Sequence, residues 1–92
     1  MTTDQIRALL VQSFNVARLE ILDDSHRHAG HKGARESGGG HYSVLIVTDD
    51  FKDKTLVTRH RMVYQALNLI KEKIHALGIK ACTVDEFEAS DS

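Results

Sequence analysis

The 92-residue chain has no proline, a single cysteine and no long apolar run. Without proline, none of its loops is stiffened by a fixed φ. One cysteine, Cys82, excludes an intramolecular disulfide and suits a reducing compartment, cytoplasmic or the matrix of an organelle. No apolar stretch approaches the roughly 18 residues that a membrane span requires. The opening Met1-Thr2-Thr3-Asp4 lacks the basic flank and apolar stretch of a signal peptide, so no targeting segment is expected there. An excess of either charge is missing too, since 12 Lys and Arg face 13 Asp and Glu. That balance requires no polyanionic partner, although local basic patches stay open. At this length a single domain, 1–92, is expected to bury about 60 to 65% of its unfolded surface.

What is present alternates between two periodicities. Thr2-Thr3-Asp4-Gln5 has a capping-box pattern ahead of Ile6, Leu9, Leu10 and Phe14, which predicts a helix from about Thr3 to Phe14. From Val16 the period becomes two, with Ala17, Leu19 and Ile21 facing one way and Arg18 and Glu20 the other, as in a strand with one wet face. His41 to Thr48 predicts a second strand, and its unbroken run Val44 to Val47 places it inside the sheet. Val63, Ala66, Leu67, Ile70, Ile74 and Leu77 recur at helical intervals and predict the principal helix, closed by Gly78. Its start stays open, because either Thr55 or Thr58 can cap it, as one rod or as a short helix with a bend near Arg59-His60. A third strand is expected from Ile79 to Val84, followed by a short acidic tail, Asp85 to Glu88, that can form one helical turn. Strands one and two should pair antiparallel, and strand three should lie parallel to strand two across a helical crossover.

Between the first two strands lies a polar, glycine-rich connection of roughly 16 residues, about 24–40, long enough to be functional or disordered. It carries His26-x-His28-x-x-His31. Imidazole suits zinc, copper, iron and nickel, so these histidines can be ligands of a zinc or other mononuclear site, or simply solvated. Their spacing matches neither a zinc finger nor a metalloprotease helix. In Arg59-His60-Arg61-Met62, His60 falls near the apolar helix face, as a hydrogen-bonded boundary residue or a ligand. The flanking arginines fit either a phosphate or carboxylate contact or a solvated face. Cys82 reads as a small buried hydrophobe. His75, in the last helical turn, and His41, opening a strand, read as structural. No Ser-His-Asp or Cys-His arrangement is visible, so no enzyme is expected. Gly38-Gly39-Gly40 lacks the Lys-Ser/Thr of a phosphate loop.

Taken together, several stretches resemble the BolA family: Leu19 to His28, His41-Tyr42-Ser43-Val44, Arg59-His60-Arg61-Met62-Val63-Tyr64 and His75-Ala76-Leu77. The resemblance covers nearly the whole chain in order. It implies an α+β fold similar to class II KH domains, α-β-β-α-α-β, with a small three-stranded mixed sheet and helices on one face. It also implies a monothiol glutaredoxin as partner and a [2Fe-2S] cluster shared with glutaredoxin and glutathione. Carried over residue by residue, the histidine of Arg-His-Arg, here His60, is implied as the invariant cluster ligand. A loop ligand is implied at His28, with His31 as the alternative, in the manner of the histidine-bearing subgroup. The expected role is iron-sulfur cluster assembly, trafficking or iron regulation. The alternative is a KH-like, DNA-binding transcriptional regulator that would use Arg59, Arg61, Lys71 and Lys73. Against it, the region Leu56 to Met62 lacks the Gly-x-x-Gly with which KH domains clamp a strand.

Overall fold

The computed structural model describes residues 1–24 and 40–91. Helix α1 spans Thr2–Ser13 and sends Ile6 and Leu10 into the core. Its N-cap is Met1, with no side-chain cap. The Met1 carbonyl accepts the first helical bond from the Gln5 N–H at 3.1 Å. This corrects the capping-box expectation: the helix begins one residue too early for a threonine to occupy the cap. At its other end Phe14 is extended, φ −130° and ψ 153°, and its N–H closes on the Leu10 carbonyl.

Three strands form one sheet in the order β1-β2-β3. β1 is Arg18–Asp23, β2 is Gly40–Val47 and β3 is Ile74–Cys82. β1 pairs antiparallel with β2, from Arg18 opposite Val47 to Asp23 opposite Tyr42. β2 pairs parallel with β3, ending with Val47 opposite Cys82. Both pairings are the expected ones, and β2 is the central strand. Alternation along β2 turns Tyr42, Val44 and Ile46 toward the helices, where they join Ile6, Leu10, Phe14, Phe51, Val63, Leu67 and Ala81 in one buried cluster. Ser43, Leu45 and Val47 lie on the opposite face.

A 3-10 turn, Asp49–Phe51, follows β2. Thr48 caps it, accepting from the Asp50 N–H at 3.1 Å and donating to the Asn15 carbonyl at 2.9 Å. Phe51 is fully buried, with its ring 5.3 Å from that of Phe14. Helix α2, Leu56–Ala66, is capped by Thr55, whose hydroxyl accepts from the Thr58 N–H at 3.1 Å. It runs through Arg59-His60 as part of one α-helix.

The expected long helix stops early. After Ala66 the backbone tightens into a 3-10 segment, Asn68–Lys73, interrupted by a non-helical Ile70. β3 then starts at Ile74, not Ile79, and Gly78 lies inside it opposite Ser43 instead of closing a helix. The reason lies in backbone satisfaction. A strand from Ile79 would meet only Val44 onward and leave the β2 residues Gly40 to Ser43 without a partner on that side. His75 therefore belongs to a strand, which corrects its assignment to a helical turn. Beyond β3 the acidic tail forms a full helix, α3, Val84–Asp91. A capping box starts it: the Glu86 N–H donates to Thr83 Oγ1 at 3.2 Å, and the Thr83 N–H donates to Glu86 Oε1 at 2.9 Å. Among the described residues no helix is long and apolar enough to cross a membrane.

Candidate metal site at one end of the sheet

The topology decides which residues share an end of the sheet. β1 finishes where β2 begins, and the Asp24 N–H donates to the His41 carbonyl at 2.7 Å. Ser43 Oγ donates to Asp24 Oδ2 at 2.6 Å, a second tie across the two stems. The connection carrying His26, His28 and His31 leaves from and returns to this end. Those three histidines lie outside the described residues. Because β3 is parallel to β2, its first residues lie at the same end.

His75 is the second residue of β3 and is exposed. The β2–β3 register slips there: Gly40 faces Ile74, but His41 faces Ala76, so His75 is the extra residue of a bulge. Bulges break strict alternation and re-aim a side chain. Here the His75 ring comes to 5.0 Å from the His41 ring, centroid to centroid, with the planes inclined by 51°. His41 is half-buried on the central strand, and its Nε2 is shielded from solvent. Two imidazoles thus sit in contact at the root of the histidine-bearing connection. From His41 the uncovered face continues as a shallow groove of about 370 Å³, lined by Leu22, Leu45 and Gly78 with Glu20 and Lys80. Among the described residues, no group of three His, Cys, Asp or Glu side chains could hold a metal ion. The pair is at most part of a ligand set.

His60 lies elsewhere. It is half-buried near the start of α2 and lines a groove of about 740 Å³ with Lys54, Leu56, Lys80, Cys82 and Glu86. The β3 residues bordering it are Ile79 to Cys82. From His75 to Ile79 is four residues, about 13 Å along the strand. Fold and register thus separate His60 from the end where the loop is rooted.

Arg59 is a structural residue. It is 6% exposed. Its Nε donates to the Lys54 carbonyl at 3.0 Å and Nη1 to the Ala81 carbonyl at 3.1 Å. Nη1 and Nη2 also grip Glu86 Oε1 and Oε2 at 2.6 and 3.0 Å, a bidentate pair. The Arg59 hydrogen bond, with help from the Thr83 N–H, pulls the Glu86 carboxyl down to about 2, and the same pair raises Arg59. With its guanidinium spent on β3 and α3, Arg59 is not available to nucleic acid or a partner, contrary to the sequence reading. Arg61, Lys71 and Lys73 are exposed, but the two lysines stand on the 3-10 segment and not on a helix. Lys73 Nζ donates to Gln5 Oε1 at 3.0 Å. Cys82 is buried, as expected of a small hydrophobe.

Sequence reasoning passed over His41 and His75 because each, taken alone, reads as structural. The signal that finds them is joint: two parallel neighbours that each carry histidine as their second residue.

Comparison with known proteins bears on the same fold. The family described as BolA-like protein matches residues 10–86. The chain is 40% identical over 87 residues to SufE-like protein 1, chloroplastic/mitochondrial, of Arabidopsis thaliana, covering 89% of this chain and 24% of that protein. It is 32% identical over 89 residues to the DNA-binding transcriptional regulator BolA of Escherichia coli (strain K12), covering 96% of this chain and 81% of that one. Among solved structures, the BolA domain of SufE1 from Arabidopsis thaliana superposes with a TM-score of 0.74 at 40% identity, over 89% of this chain and 91% of that one. A bol-like protein from Babesia bovis gives a TM-score of 0.77 at 26% identity, over 95% and 90% of the two chains. The match extends over all three strands and the helix between the second and third, and the chain belongs to the BolA family.

Proposed function

We propose that this chain is a non-enzymatic partner of a monothiol glutaredoxin, and that the two proteins share a [2Fe-2S] cluster with glutathione for iron-sulfur cluster assembly, trafficking or iron regulation. The observation that supports this reading best is the contact of His41 and His75 at the root of the histidine-bearing loop. The ligand set we propose is one loop histidine, His28 or in its place His31, together with His75 on the sheet. The sequence resemblance assigned the fixed ligand to His60, and the geometry favours His75 because the stems of the loop border it. The donor chemistry fits, since imidazole is a common iron ligand. Two imidazoles on one iron in place of thiolates raise the reduction potential of the cluster, as in Rieske centres. On this chain's side, His75 supplies a donor from a hydrogen-bonded strand and the loop supplies the other. Only neutral imidazole ligates, so acid favours release.

The test is anaerobic reconstitution of the cluster on a mixture of glutaredoxin, glutathione and this protein, followed by visible absorbance and circular dichroism. The His75→Ala and His28→Ala variants are expected to lose the spectrum of the mixed complex, while His60→Ala keeps it. Loss in His60→Ala with retention in His75→Ala would return the fixed ligand to His60. A wild-type mixture whose spectrum equals that of glutaredoxin alone would end the reading.

A second reading, a KH-like DNA-binding transcriptional regulator, draws on the Escherichia coli relative named as one and on exposed Arg61, Lys71 and Lys73. Three phosphate contacts predict a logarithmic salt slope of about −2.7 for DNA binding. Binding without that slope would count against those residues.

A further inference from the structure

The contact between the two sheet histidines does more than mark a place. We infer that His41 is a positioning residue: its ring holds the ring of His75 in the orientation from which His75 donates, an inference that rests on the proposed cluster role of His75.

The two side chains differ in how well they are fixed. His75 is exposed on the outer strand, at the bulged residue, where ladder pairing does not dictate the direction of the side chain. Left alone, an exposed imidazole samples several rotamers. His41 is on the central strand, half-buried, with strands on both sides. Its carbonyl is tied to the Asp24 N–H at 2.7 Å, and its Nε2 is closed off from solvent. The fixed ring therefore constrains the loose one across the 5.0 Å contact. His41 also follows Gly40 directly, at the point where the histidine-bearing connection re-enters the sheet. Groups that orient a ligand without binding the metal commonly change affinity by about 10- to 100-fold.

The test uses His41→Ala and His41→Phe in the full chain. In the protein without cluster, the ring 1H and 15N signals of His75 are followed. His41→Ala should shift them and average its rotamers, while His41→Phe, which keeps a flat ring in the same place, should restore the wild-type pattern. Backbone amide signals away from this end of the sheet should not move. In the complex reconstituted with glutaredoxin and glutathione, His41→Ala should alter the electron paramagnetic resonance signature of the reduced cluster and speed cluster loss by about tenfold, with His41→Phe close to wild type. Unchanged His75 signals in His41→Ala would overturn the inference, as would a His41→Phe variant as impaired as His41→Ala. Failure of the cluster reading itself shows separately, as a His75→Ala variant that retains the mixed-complex spectrum. The ring signals of the cluster-free protein still decide whether His41 holds His75.

Discussion

Replacing Gly40 by alanine tests how tightly the site end of the sheet is packed. A methyl group at this position would lie 2.6 Å from Cε2 and Oη of Tyr42 and 2.7 Å from its Cζ. Comfortable carbon contacts begin near 3.5 Å, so the ring has to retreat by about 1 Å. Tyr42 is only 7% exposed and packs in the core beside Val44, so there is little space to retreat into. Overpacking of this kind costs about 1–3 kcal/mol. In a domain of this size, a loss of about 2 kcal/mol lowers the melting temperature by about 8–16 °C. Gly78→Ala is the internal control. Its methyl would meet Ser43 Oγ at 3.6 Å and the Tyr42 carbonyl at 4.0 Å, both ordinary contacts. With no clash, the reduced freedom of the unfolded chain should stabilise that variant by about 0.4–1 kcal/mol. The assay is thermal and urea unfolding followed by circular dichroism. Combining Gly40→Ala with Tyr42→Leu completes a double-mutant cycle, in which the smaller side chain should absorb most of the Gly40→Ala cost. An unaltered melting point in Gly40→Ala would refute the packing argument. So would a cost that is additive with Tyr42→Leu, because the clash would then not be with that ring.

Three further outcomes follow from local geometry. Thr55→Ala removes the hydroxyl that accepts from the Thr58 N–H and should cost about 1 kcal/mol in urea unfolding, whereas Thr3→Ala should cost under about 0.5 kcal/mol, because Met1 is the cap of α1. Glu86 is held down to about 2 by Arg59, so its stabilising contribution is complete above the ordinary glutamate value near 4.3 and is lost as pH falls toward 2. Urea midpoints of wild type and Glu86→Gln should therefore differ at neutral pH and converge across that window; a gap that stays constant would remove the Arg59–Glu86 pair from the account. Cys82 is 8% exposed, so a thiol reagent should modify it slowly in the native protein and rapidly in urea; equal rates would contradict its burial.

Much of the fold follows from periodicity alone, and its failures have physical causes. Alternation in β1 and the apolar run in β2 foretell a half-wet edge strand beside a covered central one. The segment after Ala66 misleads because Ile70, Ile74 and Leu77 stand at helical spacing while three of the following residues, Leu77, Ile79 and Ala81, also alternate as a strand. Local pattern does not arbitrate between the two. The unpaired backbone of Gly40 to Ser43 does, and it is visible only once β2 and β3 are aligned. The terminal helix is longer than the expected single turn for a different reason. Its acidic composition suggests a solvated tail, yet Thr83-x-x-Glu86 is a capping box in plain view, and Glu86 serves that cap and Arg59 at once.

The location of the proposed site draws on two kinds of reasoning. Resemblance to a family directs attention to Arg59-His60-Arg61, the most specific stretch of the chain. Topology points the other way, and it was within reach of the sequence. If β1 and β2 are antiparallel neighbours, the connection between them is rooted at the start of β2. If β3 is parallel to β2, its first residues stand at that same end, whereas the helix that follows β2 must begin at the opposite end and travel back. A ligand pair drawn from the loop and His60 on that helix therefore has to bridge about 13 Å along β3, from His75 to the Ile79 that borders the His60 groove, while one drawn from the loop and the first residues of β3 does not. What could not be read in advance is that β3 begins early enough to include His75, and that a bulge turns this residue toward His41. Both depend on backbone pairing between residues more than 30 positions apart in the chain, which no local pattern encodes.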